Sequence, residues 1–393
     1  MAASSKNGRS VRRLQVSIEH LYRGYSGSSL QSPISALRTR RSLGSRPFSN
    51  LVAKEASSRS QRHPAHLLKV NTPHRRPAST VRHITMEPKV HTLFEPVTGT
   101  WQYVVADETT KEAVIIDPVL DYDKATGKIA TQSADKILDL VAQCGYTVSR
   151  ILETHAHADH LTASRYLQNV LAERQPDSAR PQVCIGERIR MVQETISKMY
   201  NIPKSDLEAA FDCTFADDDT FPIGTIEAKV IHLPGHTPDH IGYIIGSNVF
   251  TGDSIFNPDV GSARCDFPGG SAMQLYHSMQ KLLSFPEHYR LYTGHDYPPD
   301  SRDLPADQYV DGKKAVPFTT VETQRRENKH VRMGTDMKDF VQWRSERDSS
   351  LSEPMLLAPS LQVNVRGGRL PAKDSELMKI VDVPAGVARV VKV

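Results

Sequence analysis

Hydrophobic and polar positions change their spacing repeatedly after residue 90, and each change predicts a new element of secondary structure. Residues 101–106 and 113–117 are predicted strands on either side of a polar turn. The second run is unbroken, as in a strand buried on both faces. Apolar residues at 137, 138, 141 and 144 have helical spacing, and Gly145 is a typical helix stop. Residues 149–153 return to the pattern of a strand.

The downstream half of this region repeats the same elements. Apolar residues alternate over 226–232, and short apolar runs at 242–246 and 248–252 predict two further strands. A stripe of apolar residues over 275–283 predicts another helix. Strands interleaved with helices are typical of an α/β domain built in layers.

The strand pattern fades beyond residue 300. Thr319 and Glu322 have the spacing of a capping box, which predicts a helix through 324–332, and a second helix is predicted over 336–344. We therefore divide the chain into a leader (1–85), a central catalytic domain (86–300) and a partly helical C-terminal extension (301–393). The extension is either a helical cover for the domain or an arm that forms a homo-oligomer.

The leader differs in composition from the rest of the chain. Residues 1–86 contain 16 Lys and Arg residues but only two acids, Glu19 and Glu55, and they are rich in serine. This composition is typical of a mitochondrial transit peptide, so we expect import into the matrix. Translation from Met86 would instead give a cytosolic protein.

Charge and hydropathy argue against two classes of protein. From residue 87 onward, 33 basic and 43 acidic residues give a net charge of about −10. Nucleic-acid binding is therefore not expected, because phosphate contacts need basic groups on the folded domain. No apolar run reaches the roughly 20 residues of a membrane-spanning helix.

The four cysteines form no Cys-x-x-Cys pair, so we predict neither a disulfide framework nor a zinc ribbon, and we expect a reducing compartment.

A dense group of metal-binding side chains follows the predicted strand at 149–153. Residues 154–160 read Thr-His-Ala-His-Ala-Asp-His, which places four such side chains within six residues: His155, His157, Asp159 and His160. The two histidines at alternate positions project to one side of an extended segment, and a following turn can bring the other two to the same point. Three more candidates each follow an apolar strand near a glycine: His236, Asp253 and His295.

These seven residues predict a catalytic metal site. Imidazole and carboxylate ligands without cysteine suit zinc, iron or manganese, and mixed sites with open coordination positions are more often catalytic than structural. Four isolated histidines are assigned to packing or to solvent: His232, His240, His277 and His288.

At these residues the sequence resembles the metallo-β-lactamase superfamily, whose signature is His-x-His-x-Asp-His followed by later His, Asp and His. The resemblance spans about residues 90–300 and implies an αββα sandwich with the metal site at one edge, between the sheets. Residues 261–267, 275–278 and 294–297 look like the glyoxalase-II-related branch that contains the persulfide dioxygenases, and most closely like its bacterial β-lactamase-like hydrolase subgroup. The chain departs from the mitochondrial persulfide dioxygenases at residues 268–270, where Pro-Gly-Gly replaces their glutamine-containing turn.

The resemblance implies two metal arrangements. In one, a single Fe(II) per chain is held by His155, His236 and Asp253, and the other four residues orient these ligands. In the other, which is like glyoxalase II, two Zn(II) ions or a mixed Zn/Fe pair share a hydroxide. One ion then takes His155, His157 and His236, the second takes Asp159, His160 and His295, and Asp253 bridges them. All seven residues are present, so the set of ligands alone does not distinguish the two arrangements.

The flanking resemblance and the leader favour the single-iron arrangement. It implies a persulfide dioxygenase that converts glutathione persulfide, with dioxygen and water, to sulfite and glutathione in sulfide catabolism. The alternative is a hydroxyacylglutathione thioester hydrolase with a binuclear site. Because glutathione carries two carboxylates, Arg264 is a candidate substrate-binding residue, with a surface ion pair as the alternative. Tyr297 either donates its hydroxyl to the substrate or serves in packing.

Overall fold

Two six-stranded β-sheets face each other in the computed structural model, which describes residues 87–379 and 381–391. The predicted leader of residues 1–85 lies outside the described residues. The strands are β1 Lys89–Glu95, β2 Thr100–Ala106, β3 Glu112–Ile116, β4 Val119–Asp123, β5 Lys128–Ala130, β6 Thr147–Leu152, β7 Leu161–Thr162, β8 Gln182–Gly186, β9 Cys213–Phe215, β10 Thr220–Ile223, β11 Ile226–His232, β12 Ile241–Ile245, β13 Asn248–Phe250, β14 Arg290–Tyr292 and β15 Phe318–Thr320. The first sheet has the order β1-β2-β3-β6-β8-β9, the second has the order β10-β11-β12-β13-β14-β15, and a small third sheet has the order β5-β4-β7.

Helices cover the outer faces of both large sheets. They are α1 Gln132–Cys144, α2 Ser164–Arg174, α3 Ile189–Tyr200, α4 Lys204–Leu207, α5 Ala272–Leu283, α6 Val321–Glu327, α7 Met337–Ser349, α8 Leu357–Asn364 and α9 Ala385–Val390. In the described part of the chain, no helix is long and apolar enough to cross a membrane.

The alternation of side chains along β2 explains how one strand serves two cores. Trp101, Tyr103 and Val105 point inward and pack against the second sheet. Val104 and Ala106 point outward and pack under α1 and α2. Since successive side chains of a strand point to opposite faces, a strand that is buried along its whole length, as β2 is, must lie between two layers. The architecture is therefore the predicted αββα sandwich.

The second sheet is covered in the same way. Leu275, Met279 and Leu282 lie along one face of α5 and pack on the outer side of β11, β13 and β14. Val321 of α6 and Phe340 of α7 extend this outer core. The helix predicted over 275–283 is confirmed, and it begins at Ala272, after the N-cap residue Ser271.

Local signals predicted some element ends correctly and missed others. Gly145 ends α1 in the left-handed conformation, with φ 66°, as expected for a helix stop. The bounds predicted for the first C-terminal helix are wrong. Thr319 pairs with Leu291 in the short strand β15, so the cap falls to Thr320, whose hydroxyl accepts the Thr323 N–H at 3.2 Å, and α6 ends at Glu327.

The residues beyond 300 pack onto the domain itself. Strand β15 is the outer strand of the second sheet. Leu357, Leu361 and Val365 pack against α3 and the alanines of the 154–160 segment. Val363 and residues near the C-terminal end, including Leu370, join the core beneath α1 and α2. The extension is a cover for the domain, and one of its residues reaches the candidate site.

Candidate metal centre

The ends of four strands bring the predicted ligands to one edge of the sandwich. Strands β3 and β6 are parallel, and so are β13 and β14, so the carboxyl ends of each pair lie together. The segment 154–160, called here the metal loop, follows β6. His236 lies between β11 and β12, Asp253 follows β13, and His295 follows β14.

Three of the seven predicted ligands form a first group. One ligand atom from each of His155, His236 and Asp253 lies within 4.8 Å of the other two. His236 Nε2 is 3.6 Å from Asp253 Oδ2. This set of two imidazoles and one carboxylate is the one that the single-iron arrangement requires.

The remaining four predicted ligands form a second group. The ligand atoms of His157, Asp159, His160 and His295 also lie within 4.8 Å of one another. His295 Nε2 is 3.1 Å from Asp159 Oδ2 and 3.6 Å from Asp253 Oδ1, so Asp253 lies between the two groups. His157 is therefore grouped with the second set, whereas the binuclear arrangement implied by the resemblance places it with His155 and His236.

Backbone and hydroxyl groups orient the imidazoles. His236 Nδ1 bonds the Arg264 carbonyl at 2.7 Å, and His160 Nδ1 bonds the Leu161 carbonyl at 3.2 Å. Threonine hydroxyls lie within hydrogen-bond distance of two further imidazoles. Thr154 Oγ1 is 3.0 Å from His155 Nδ1, and Thr100 Oγ1 is 3.3 Å from His295 Nδ1. In each ring the second nitrogen is left for another partner. Hydrogen bonds of this kind fix the orientation of metal-binding histidines.

Six buried atoms of these residues have no hydrogen-bond partner in the part of the chain that the structure describes. They are His155 Nε2, His157 Nδ1, Asp159 Oδ2, His160 Nε2, Asp253 Oδ1 and His295 Nε2. Buried polar atoms are nearly always satisfied, so a cluster of orphaned acceptors on converging side chains fits a bound cation. The residues present thus fit a metal ion bound by imidazole and carboxylate.

Two carboxylates that the sequence analysis did not identify hold His157. Its Nε2 lies 3.1 Å from Asp117 Oδ1 and 3.4 Å from Glu153 Oε2, and all three side chains are buried. Asp117 also accepts the Thr154 N–H at 2.7 Å, and it has the left-handed φ of 50° immediately after β3. Their positions in the sequence could have identified both carboxylates, because each directly follows a buried strand that ends at this edge.

His240 was assigned to packing or solvent, and the structure gives it a more specific place. It is fully buried and stacks on His155, with ring centroids 4.7 Å apart. Its Nε2 accepts the Asp253 N–H at 2.9 Å, which positions the backbone of a predicted ligand. Residue 294 must also be a glycine for the backbone to pass close to Asp253, because a Cβ at Gly294 would lie 2.4 Å from Asp253 Oδ1.

An asparagine of the C-terminal extension braces the metal loop. The Asn364 amide group donates to the carbonyls of His157 and His160, both at 2.8 Å, and its oxygen accepts the Thr162 N–H at 2.9 Å. The side chain is buried. The loop that carries four candidate ligands is therefore held in shape by a residue far away in the sequence.

The electrostatics of the site favour neutral imidazoles at two positions. Burial lowers the pKa of His155 well below its usual range, and burial lowers the pKa of His160 to about 3. Burial also opposes a charge on His157, but Asp117 and Glu153 outweigh it and raise the pKa of this group. Because a metal ligand must be deprotonated, His155 and His160 are already in the binding form, whereas a cation at His157 displaces a proton.

A cleft of about 1300 Å³ opens from the metal centre. Asp159, His160, His236 and Asp253 line one part of it. The walls come from the β4–β5 hairpin on one side and from α7 and residues 351–356 on the other. The C-terminal extension thus forms one wall of the cleft.

The two predicted substrate contacts both line this cleft. The Arg264 guanidinium donates to Asp266 through Nε at 2.6 Å and Nη2 at 2.5 Å, and to the Ser352 carbonyl through Nη1 at 3.0 Å. The ion pair foreseen as the alternative is therefore present. The Tyr297 ring lies parallel to His295 at a centroid distance of 5.6 Å and remains 51% exposed. A substrate contact by either side chain stays a prediction.

Comparison with known proteins identifies the family. The model of the metallo-beta-lactamase superfamily matches residues 96–295, and the chain belongs to this superfamily of metal-dependent enzymes. The resemblance predicted from the histidine signature is confirmed.

Relatives within the superfamily include hydrolase-like proteins and a dioxygenase. The chain is 39% identical to Glyoxylase B2 of Dictyostelium discoideum over 299 residues, which cover 75% of this chain and 96% of that protein. It is 42% identical to a Beta-lactamase hydrolase-like protein of Xylella fastidiosa over 295 residues, 75% of this chain but only 64% of the relative. Human persulfide dioxygenase ETHE1, mitochondrial, is 30% identical over 208 residues, 52% of this chain and 67% of that protein. The crystal structure of ETHE1 from Myxococcus xanthus aligns with a TM-score of 0.54 at 28% identity, covering 72% of this chain and 100% of that one.

Proposed function

We propose that this protein is an iron-dependent persulfide dioxygenase. The reaction converts glutathione persulfide, dioxygen and water to glutathione, sulfite and two protons. The observation that carries the proposal is the separate group formed by His155, His236 and Asp253, which has the composition of a two-histidine, one-carboxylate iron site. The similarity to the Myxococcus xanthus ETHE1 structure supports it.

The position of His157 is the second argument for a site with three protein ligands. Asp117 and Glu153 hold its Nε2 on the side away from the unpaired Nδ1, and its ligand atom is grouped with Asp159, His160 and His295. Among the described residues, His155, His236 and Asp253 therefore have no fourth protein ligand in their own group. Bound Fe(II) would supply open coordination positions and redox chemistry for dioxygen.

The residues around the three proposed ligands keep them in place. The Arg264 carbonyl fixes the tautomer of His236, and His240 holds the backbone of Asp253. Because His240 is fully buried and the Arg264 carbonyl belongs to the protein backbone, the ligand atoms are held before any ion binds. Preorganisation of this kind lowers the reorganisation that a reaction at the site requires.

The cleft carries cationic side chains that suit a glutathione derivative, beside the carboxylates of Asp121 and Asp123 on the hairpin. Cationic side chains line both walls, Lys124 and Lys128 on the hairpin and Lys329 and Arg347 on the side of the extension. Such groups can bind the two carboxylates of glutathione, while the sulfur reaches the floor at Asp253. The aromatic side chains Phe256 and Tyr297 shield His295 at the mouth of the cleft.

Metal content and oxygen uptake together test the proposal. Protein purified without oxygen is expected to hold about one iron per chain and to consume dioxygen when glutathione persulfide is added. Asp253→Asn is expected to abolish both iron loading and oxygen uptake. His277→Gln is the matched control, because His277 is exposed on α5 and should leave both unchanged. Full loading with two zinc ions and no oxygen uptake would contradict the proposal.

The second group of ligands supports one alternative, a thioester hydrolase that acts on hydroxyacylglutathione with two Zn(II) ions or a mixed Zn/Fe pair. Four ligand atoms lie close enough to hold another ion, and the chain is 39% identical to Glyoxylase B2. Hydrolysis of lactoylglutathione by protein with two ions per chain would establish this function. The variant Asp159→Asn distinguishes the hydrolase from the dioxygenase. Loss of a ligand from the second group should abolish hydrolysis but leave iron-dependent oxygen uptake.

A further inference from the structure

Two of the four cysteines lie side by side although they are distant in the sequence. Cys184 in β8 and Cys213 in β9 are direct partners in the parallel pairing of these strands. Paired strands are about 4.8 Å apart, and partners of this kind point to the same face of the sheet. Both side chains pack in the core between the two large sheets. A disulfide needs Cα atoms about 4.4–6.8 Å apart, so the backbone has the spacing that the bond requires.

The two thiols differ in access and in acidity. Strand β9 is the edge strand of the first sheet, and Cys213 is half-buried there, whereas Cys184 is buried. Hydrogen bonding by the Cys184 thiol lowers the pKa of Cys213 to about 7, with help from Arg150 against burial. The same contact and burial raise the pKa of Cys184. Near neutral pH a substantial fraction of Cys213 is therefore the nucleophilic thiolate, whereas Cys184 is protonated.

We propose that Cys184 and Cys213 form a reversible disulfide, with a low-molecular-weight disulfide such as glutathione disulfide as the oxidant. The Cys213 thiolate attacks one sulfur of glutathione disulfide, which forms a mixed disulfide and releases one glutathione thiolate. Cys184 then loses its proton and attacks the Cys213 sulfur, which forms the internal disulfide and releases the second glutathione. Two protein thiols are oxidised, and one glutathione disulfide is reduced to two glutathiones.

The order of the two steps follows from the contact between the thiols. The pKa of Cys184 is raised first of all by its hydrogen bond to Cys213. Once Cys213 is a mixed disulfide, no thiolate remains beside Cys184 to keep it protonated. Accessible low-pKa thiols next to a resolving cysteine are the usual arrangement of redox-sensitive pairs.

The pair is connected to the metal loop through the backbone. The Cys184 carbonyl accepts the Glu153 N–H at 2.9 Å, and Glu153 immediately precedes the loop. A covalent bond between β8 and β9 would therefore restrain the strand that supports the start of the metal loop. The proposal itself does not depend on which reaction the metal centre performs.

The test equilibrates the full chain in glutathione redox buffers and maps disulfides by mass spectrometry after non-reducing proteolysis. A peptide linking Cys184 to Cys213 should form and disappear on addition of dithiothreitol, while Cys144 and Cys265 stay alkylatable under denaturing conditions. Cys184→Ala should instead accumulate glutathione on Cys213, and Cys213→Ser should form no adduct at either position. Cys144→Ser is the matched control and should leave the linked peptide unchanged.

Three outcomes would overturn the proposal. All four thiols of the wild-type chain could remain alkylatable in the oxidising buffer. Glutathione could persist on Cys213 of the wild-type chain without conversion to the internal disulfide. The cross-link could join Cys213 of two chains, which a non-reducing gel detects as a dimer. Because these readouts use the wild-type chain, the test holds even if a variant fails to fold.

Discussion

Replacement of Asn364 by leucine tests whether the C-terminal extension shapes the metal centre. Leucine keeps the branched skeleton of asparagine, with larger terminal groups, but makes none of its three hydrogen bonds to the His157 and His160 carbonyls and the Thr162 N–H. A buried polar group left without a partner costs about 1–3 kcal/mol. The two carbonyls and the N–H would all lose their partner, so we expect the ordered loop to be destabilised by at least about 3 kcal/mol.

The expected consequence is weaker metal binding. Partners of metal ligands typically contribute about 10–100-fold to metal affinity. A loss of about 3 kcal/mol corresponds to the upper end of this range, since each 1.4 kcal/mol is about tenfold. We therefore expect the dissociation constant for the metal to rise about 100-fold in Asn364→Leu.

Competition with a chelator measures this affinity, and the visible spectrum of the Co(II)-loaded protein reports ligand geometry directly. A changed Co(II) spectrum distinguishes a disturbed site from a general loss of stability, which urea unfolding measures separately. Gln362→Ala is the matched control, because Gln362 lies on the same helix and its side chain donates to the Ala358 carbonyl within that helix, away from the metal loop. A folded Asn364→Leu variant with wild-type affinity and spectrum would show that Asn364 does not shape the metal centre.

Three other predictions concern the substrate, acid stability and the leader. If Arg264 binds a carboxylate of glutathione, Arg264→Gln raises KM for glutathione persulfide about tenfold with little change in kcat. An unchanged KM in steady-state oxygen uptake removes Arg264 from the substrate site. Burial opposes the charge of Asp107, but hydrogen bonds from Thr225 and Thr109 outweigh it and keep the pKa of this carboxyl below its usual range. Its stabilisation should be complete above the unfolded-state pKa of about 4 and decrease progressively as the pH falls from there towards the lower folded-state pKa, so the difference between wild type and Asp107→Asn in urea unfolding should be largest at pH 7 and smaller at pH 3. A difference that is the same at both pH values would contradict this assignment. Residues 1–85 fused to a fluorescent protein should carry it into mitochondria, whereas diffuse cytosolic fluorescence would favour a start at Met86.

Much of the candidate site could be predicted because its ligands follow the ends of strongly patterned strands. The metal loop contains four ligand types within six residues, and His236, Asp253 and His295 each follow an apolar strand near a glycine. Parallel pairing of β3 with β6 and of β13 with β14 then brings those ends to one edge. A local pattern was sufficient here because each ligand lies at a fixed offset from a buried strand.

The short and irregular elements could not be predicted in the same way. Strand β15 has three residues, all half-buried, so it has too few positions for an alternating pattern to stand out. It nevertheless displaced the expected helix cap from Thr319 to Thr320. Pairing with β14 across the sheet outweighed the local capping signal.

The layered α/β class, the family and the seven candidate ligands follow from the amino-acid sequence, because they depend on periodicity and on residue types at fixed spacings. The three-dimensional fold was needed to show how the ligands divide into two groups, and that Asp117, Glu153 and Asn364 support the loop. It also decided that Cys184 faces Cys213. These contacts join residues of different strands and helices, and strand order and register, which no local pattern encodes, place them together.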